Sequence, residues 1–157
     1  MVVDDDEGIR ETISMQLKRS GYETFPVSRG EDAIFIAEGQ DISLVVMDIK
    51  MPGLDGVATA KRLPSKPYVL FLTGYSIDDP IVSDARSLAM INPIRYDFLM
   101  KGSGEELLFR VARSLETYKI QNELNEILTE EINQKYIERL KRSTLPALRE
   151  YGFKLSP

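Results

Sequence analysis

The sequence contains no cysteine and no histidine. Without thiols it can form neither a disulfide nor a thiolate metal centre. Without imidazole, a Ser-His or Cys-His hydrolase is excluded, and so is a histidine-ligated zinc site. For the same reason the chain can be neither a histidine kinase nor a histidine phosphotransfer protein, and any histidine in its chemistry has to come from a partner. Long apolar runs are missing too, and no window approaches the length of a membrane span. The N-terminus meets three aspartates almost at once, which is wrong for a signal peptide. A cytoplasmic location with no membrane partner is therefore expected. Basic runs are likewise lacking, and the net charge is -5, which weighs against direct nucleic-acid binding.

What is present is a regular alternation. Short apolar runs fall at Val2-Val3, Tyr22 to Val27, Leu44 to Met47, Tyr68 to Leu72 and Tyr96 to Met100. Amphipathic stretches separate them. Ile9, Ile13 and Leu17 recur at helical spacing, and Gly21 closes that helix. A helix is expected over 28–38 with Ser28 as its N-cap, and others over about 55–63 and 79–90. From Gly104 the pattern is helical and long. The order βαβαβαβαβα predicts an α/β fold, a doubly wound five-stranded parallel sheet with helices on both faces and an extended C-terminal helix. Ligands of such sheets bind beyond the carboxyl ends of the strands.

Four features sit just after apolar strands: Asp4-Asp5-Asp6, Asp48, Thr73 and Lys101. Each alone has a bland reading, as a solvated loop, a turn residue, a satisfied hydroxyl or a solvated cation. Together they make chemical sense. Clustered carboxylates resist ionising side by side. Mg²⁺, which favours one or two carboxylates plus phosphate oxygens and water, removes that penalty. A carboxylate can capture a phosphoryl group as an acyl phosphate. A lysine ammonium and a threonine hydroxyl can hold its oxygens.

The stretches that carry these residues resemble the receiver domain of two-component response regulators. Val2-Val3-Asp4-Asp5-Asp6-Glu7-Gly8-Ile9-Arg10 is similar to the family's opening. Met47-Asp48-Ile49-Lys50-Met51-Pro52-Gly53-Leu54-Asp55-Gly56 is similar to its phosphorylation motif almost residue for residue. Thr73-Gly74 and Tyr96 to Lys101 resemble its switch threonine and its fifth strand with the terminal lysine. The resemblance covers roughly residues 1–115. It implies the flavodoxin-like strand order 2-1-3-4-5, which periodicity alone does not supply.

The resemblance also implies roles. Asp48 takes the phosphoryl group from a partner histidine kinase or histidine phosphotransfer protein, with Thr73 and Lys101 contacting it. Asp5 and Asp48 bind Mg²⁺ through carboxylates, Lys50 through its carbonyl, and Asp4 holds a metal-bound water. The acidic pair is read as Asp4-Asp5, with Asp5-Asp6 the other register. Phe98 stands where the family has its aromatic switch residue. The chain is not expected to be a turnover enzyme. A Mg²⁺-dependent aspartyl-phosphate phosphatase is the alternative, but that chemistry wants an acid two residues after the nucleophile, where Lys50 stands. A non-phosphorylated relative is disfavoured because all four positions are filled.

Some features depart from the family. Gly102 replaces the proline that usually follows the lysine. Asn92-Pro93-Ile94 interrupts a lengthened segment between Thr73 and Lys101, and Pro64 truncates the helix after Asp48.

Residues 116–157 are read as a helical extension and tail. Ile120, Leu124, Ile127, Leu128, Ile132, Tyr136, Ile137 and Leu140 form an apolar stripe that needs a partner. A parallel helical homodimer is the expected use, although the spacing is not a clean heptad; folding back onto the receiver itself is the alternative. Pro146 and Gly152 are expected to end the helix. No output motif follows, so the chain is either a regulator lacking its output domain or a stand-alone one.

Overall fold

The computed structural model describes residues 1–64, 66–102 and 104–144. It divides into two units, Met1–Lys119 and a second beginning at Ile120. Among the described residues no helix is long and apolar enough to cross a membrane.

In the first unit, β1 (Val2–Val3), β2 (Pro26–Val27), β3 (Leu44–Asp48), β4 (Tyr68–Thr73) and β5 (Tyr96–Met100) form one sheet in the order β2-β1-β3-β4-β5. All four pairings are parallel. The helices are α1 (Glu7–Arg19), α2 (Gly30–Gly39), α3 (Gly56–Arg62), α4 (Pro80–Ile91) and α5 (Gly104–Arg139). β3 and β4 are buried throughout because both faces are covered. Their side chains alternate between two cores. Val45, Met47, Val69 and Phe71 face the side that holds Ala33 of α2, Ala60 of α3 and Val82 of α4. Leu44, Val46, Leu70 and Leu72 face Ile13 and Leu17 of α1 and Leu107 and Val111 of α5.

Local chemistry sets most helix starts. Asp6, Asp55 and Asp79 cap α1, α3 and α4 by accepting from Ile9, Ala58 and Ile81 backbone N–H groups. α2 departs from expectation. It starts at Gly30, not at Ser28, and its N-cap Arg29 makes no side-chain cap bond. The start is set by packing: a Cβ on Gly30 would come within 2.1 Å of Thr59 Oγ1 on α3, so the helix enters where only glycine fits. β2 is also shorter than the expected 22–27. β1 offers only two partners, Val2 to Pro26 and Val3 to Val27; the Phe25 carbonyl still accepts from the Val2 N–H at 2.9 Å, and Tyr22 to Thr24 lie beyond the end of β1.

The second unit continues α5 to Arg139 and ends its described part in a π-helical turn, Leu140–Thr144. The expected break at Pro146 and Gly152, and the tail, lie outside the described residues.

Candidate functional site

The carboxyl ends of β1, β3, β4 and β5 bring Asp4, Asp48, Thr73 and Lys101 to one edge of the sheet. Asp4, Asp48 and Thr73 are buried. Register makes them neighbours: Asp48 pairs with Leu72, one residue before Thr73, and Thr73 pairs with Met100, one residue before Lys101. The Lys101 backbone N–H donates to the Thr73 carbonyl at 2.7 Å, which anchors the end of β5 beside β4.

Lys101 is the centre of the cluster. Its Nζ lies 2.9 Å from Asp4 Oδ2 and 2.9 Å from Asp48 Oδ1. Desolvation pulls the Lys101 pKa down, but its bonds to Asp48 and Asp4 outweigh that and the net shift is upward. Asp48 moves the other way from most ion-paired acids. Burial raises its pKa; Lys101 opposes this, and repulsion from Asp4 and Asp5 adds to it. Its Oδ2 accepts from the Lys50 N–H at 3.1 Å. Its Oδ1 is buried and, despite the ion contact with Lys101, takes no directed hydrogen bond.

The three consecutive aspartates have three different surroundings. Asp4 is buried, with Oδ1 accepting from the Asp6 N–H at 3.0 Å. Asp5 is exposed, and its charge acts on Asp48. Asp6 is occupied as the α1 cap, accepting from Ile9 N–H at 2.9 Å. Arg10 Nη1 donates to the Asp4 carbonyl at 2.7 Å and holds this turn.

The loop after Asp48 is shaped by two glycines. Gly53 has φ 80, the left-handed region. Gly56 donates from its N–H to the Ile49 carbonyl at 2.9 Å, and a Cβ there would lie 2.1 Å from the Asp48 carbonyl oxygen. Thr73 Oγ1 accepts from the Tyr75 N–H at 3.2 Å. Phe98 is half-buried and packs on the core beside α4.

One feature of the site was not readable from the sequence. The Lys50 ammonium forms an ion pair with Asp79, the α4 cap, and lies 4.6 Å from the Tyr75 ring centroid. The pairing ties the Asp48 loop to the start of α4. Asp79 before Pro80 signals a helix start, but nothing in the sequence pairs it with a lysine 29 positions earlier. Lys50 bonding lowers the Asp79 pKa.

Among the described residues no group of three or more acidic side chains is gathered to hold a metal ion. The oxygens that the family resemblance would assign to a metal are the Asp48 and Asp5 carboxylates and the Lys50 carbonyl. Asp48 is buried, and the negative charge of Asp4 and Asp5 around it exceeds what the single Lys101 ammonium offsets, a setting that fits a hard divalent cation of the Mg²⁺ kind.

The sequence pattern of the response regulator receiver domain matches residues 1–113. The chain belongs to the response-regulator receiver family. The receiver is 41% identical over 63 residues to the alkaline phosphatase synthesis transcriptional regulatory protein PhoP of Bacillus subtilis, covering 40% of this chain and 26% of that protein. It is 33% identical over 84 residues to sporulation initiation phosphotransferase F of the same organism, covering 52% of this chain and 68% of that protein. The crystal structure of the receiver domain of NtrX from Brucella abortus superposes with a TM-score of 0.63 at 29% identity, covering 74% of this chain and 97% of that one. The chain thus spans about a quarter of the PhoP regulator, and 56% of the HprR regulator of Escherichia coli that it also matches.

Proposed function

We propose that this receiver is the phosphoacceptor of a two-component pair, and that Asp48 takes its phosphoryl group from a phosphohistidine on a separate histidine kinase or histidine phosphotransfer protein. The observation that carries the reading is the Lys101 ammonium, 2.9 Å from both Asp48 and Asp4, at a sheet edge shared with Thr73. The chain has no histidine, so the donor nitrogen belongs to the partner. The P–N bond of the donor breaks as one Asp48 oxygen bonds to phosphorus, and the donor imidazole leaves with the electron pair. Lys101 sits where it can follow the transferred charge. Thr73 can turn its hydroxyl toward a phosphoryl oxygen, and Phe98, on the neighbouring strand opposite Phe71, is the side chain whose packing would then change.

Mg²⁺ would be held by Asp5, Asp48 and the Lys50 carbonyl, with Asp4 on a bound water. It supplies neutralisation of the phosphoryl oxygens and of the crowded carboxylates. In this reading the chain is a signalling acceptor in the cytoplasm, not a turnover enzyme, and acts through protein contacts without binding nucleic acid or membrane itself. A phosphatase reading is weaker because Lys50, two residues after Asp48, faces Asp79 and offers no acid.

The test is intact mass after incubation with acetyl phosphate. The parent should gain one phosphoryl group with Mg²⁺ and none with a chelator. Asp48→Asn should gain none. An adduct that persists in Asp48→Asn sinks the assignment.

A further inference from the structure

Two lysines reach the carboxyl edge of the sheet, and they are held differently. Lys101 lies between Asp4 and Asp48, with its ammonium 2.9 Å from each. Lys50 is rooted just as close. Its backbone N–H donates to Asp48 Oδ2 at 3.1 Å, yet its ammonium is carried away to Asp79 at the start of α4. A lysine ammonium is a compact charge on a flexible four-carbon stem. From this root the same stem can turn back toward the carboxylates around Asp48, whose charge attracts it.

Asp79 offers the ammonium a fixed alternative. Its two oxygens have separate tasks. Oδ1 caps α4 by accepting from the Ile81 N–H at 3.1 Å, which orients the carboxylate. Oδ2 is thereby presented to Lys50. Tyr75 adds a second contact, with its ring centroid 4.6 Å from the Lys50 ammonium, within cation–π range. The Tyr75 N–H donates to Thr73 Oγ1 at 3.2 Å, so the ring is placed from the end of β4.

We propose that Asp79 is a positioning residue of the acceptor site: it holds the Lys50 ammonium at α4 and keeps the acidic oxygens free for a divalent cation. The proposal rests on the metal-assisted reading above and adds a residue to it. An ammonium and Mg²⁺ are drawn to the same carboxylate oxygens. Lys101 already takes part of that edge, and a second ammonium would leave the metal fewer anionic partners. Lys50 would then oppose itself, its carbonyl offered to the metal and its side chain competing with it. Asp79 separates the two.

The test is Mg²⁺ binding to the full chain, by titration calorimetry with MgCl₂ at fixed ionic strength. Asp79→Asn keeps a capping side chain and loses the anionic partner of Lys50. Its Mg²⁺ Kd should rise about fivefold or more, the usual scale of coupling between linked sites. Adding Lys50→Met to Asp79→Asn removes the competing ammonium but keeps the backbone carbonyl, and should recover most of the affinity. Asp78→Asn removes an exposed acidic charge one residue away, and solvent screening should limit its effect to less than about twofold. In a separate readout, the acetyl-phosphate adduct of Asp79→Asn should form slowly at low Mg²⁺ and at the parent rate at saturating Mg²⁺. Unchanged or tighter Mg²⁺ binding in Asp79→Asn overturns the proposal, as does a double variant that recovers nothing. An equal loss in Asp78→Asn overturns it too, because charge at a distance would then be the cause. A parent that binds no Mg²⁺ defeats the metal reading itself and removes the ground of this one.

Discussion

Lys101 neutralises two buried carboxylates at once, which fixes how substitutions there behave. Lys101→Ala leaves Asp4 and Asp48 buried without their cation, and removing one partner of a buried pair costs about 3 kcal/mol. The urea midpoint should fall by that equivalent, and adding Asp48→Asn should recover part of the loss. The single Asp48→Asn variant has the opposite sign. The Asp48 pKa is raised in the fold, so its ionised form opposes folding at neutral pH, and the asparagine variant should be more stable than the parent at pH 7. That advantage shrinks as pH falls through the folded-state pKa, because the parent carboxyl is then neutral too. Equal stability of the two proteins at pH 7 would show that Lys101 fully compensates burial. At this scale the sequence was informative about identity and poor about environment. Asp4, Asp48, Thr73 and Lys101 were nameable because each follows an apolar run. That Asp6 is occupied as a helix cap, and that Lys50 reaches Asp79, depend on side-chain directions that strand periodicity does not encode.

The elements that hold the site can be perturbed separately. Gly56→Ala drives a Cβ against the Asp48 carbonyl; overpacking against backbone costs about 1–3 kcal/mol, and the acetyl-phosphate adduct should form more slowly because the displaced group is the acceptor residue itself. Asp79 separates two contributions. Asp79→Asn keeps a capping side chain and loses only the half-buried ion pair with Lys50, which solvent still screens, so its stability should change little. Asp79→Ala also loses the α4 cap and should cost about 1 kcal/mol more. Matching urea midpoints for the two variants would argue against the cap. Element existence and chain order were legible because short apolar runs alternate with stretches of helical period. The starts of α2 and β2 were not: one is set by contact with Thr59 on another helix and the other by the shortness of β1, and both are tertiary facts.

The sheet order carries a further consequence, for the newborn chain. β1 is made first, yet both its neighbours, β2 and β3, come later, and Asp4 meets its cation only 97 positions downstream. While Lys101 is still inside the ribosome, burial of Asp4 beside Asp48 is opposed by unscreened repulsion, and hydration holds that edge open. The fifth strand therefore brings Asp4 its cation, and α5, which follows it, adds Leu107 and Val111 to finish the core. Nascent chains stalled with residue 95 at the tunnel exit should be cut readily by protease, and those stalled with residue 120 beyond it should resist. On the proposed reading, a receiver still lacking this strand has no cation beside Asp48 and should not accept a phosphoryl group.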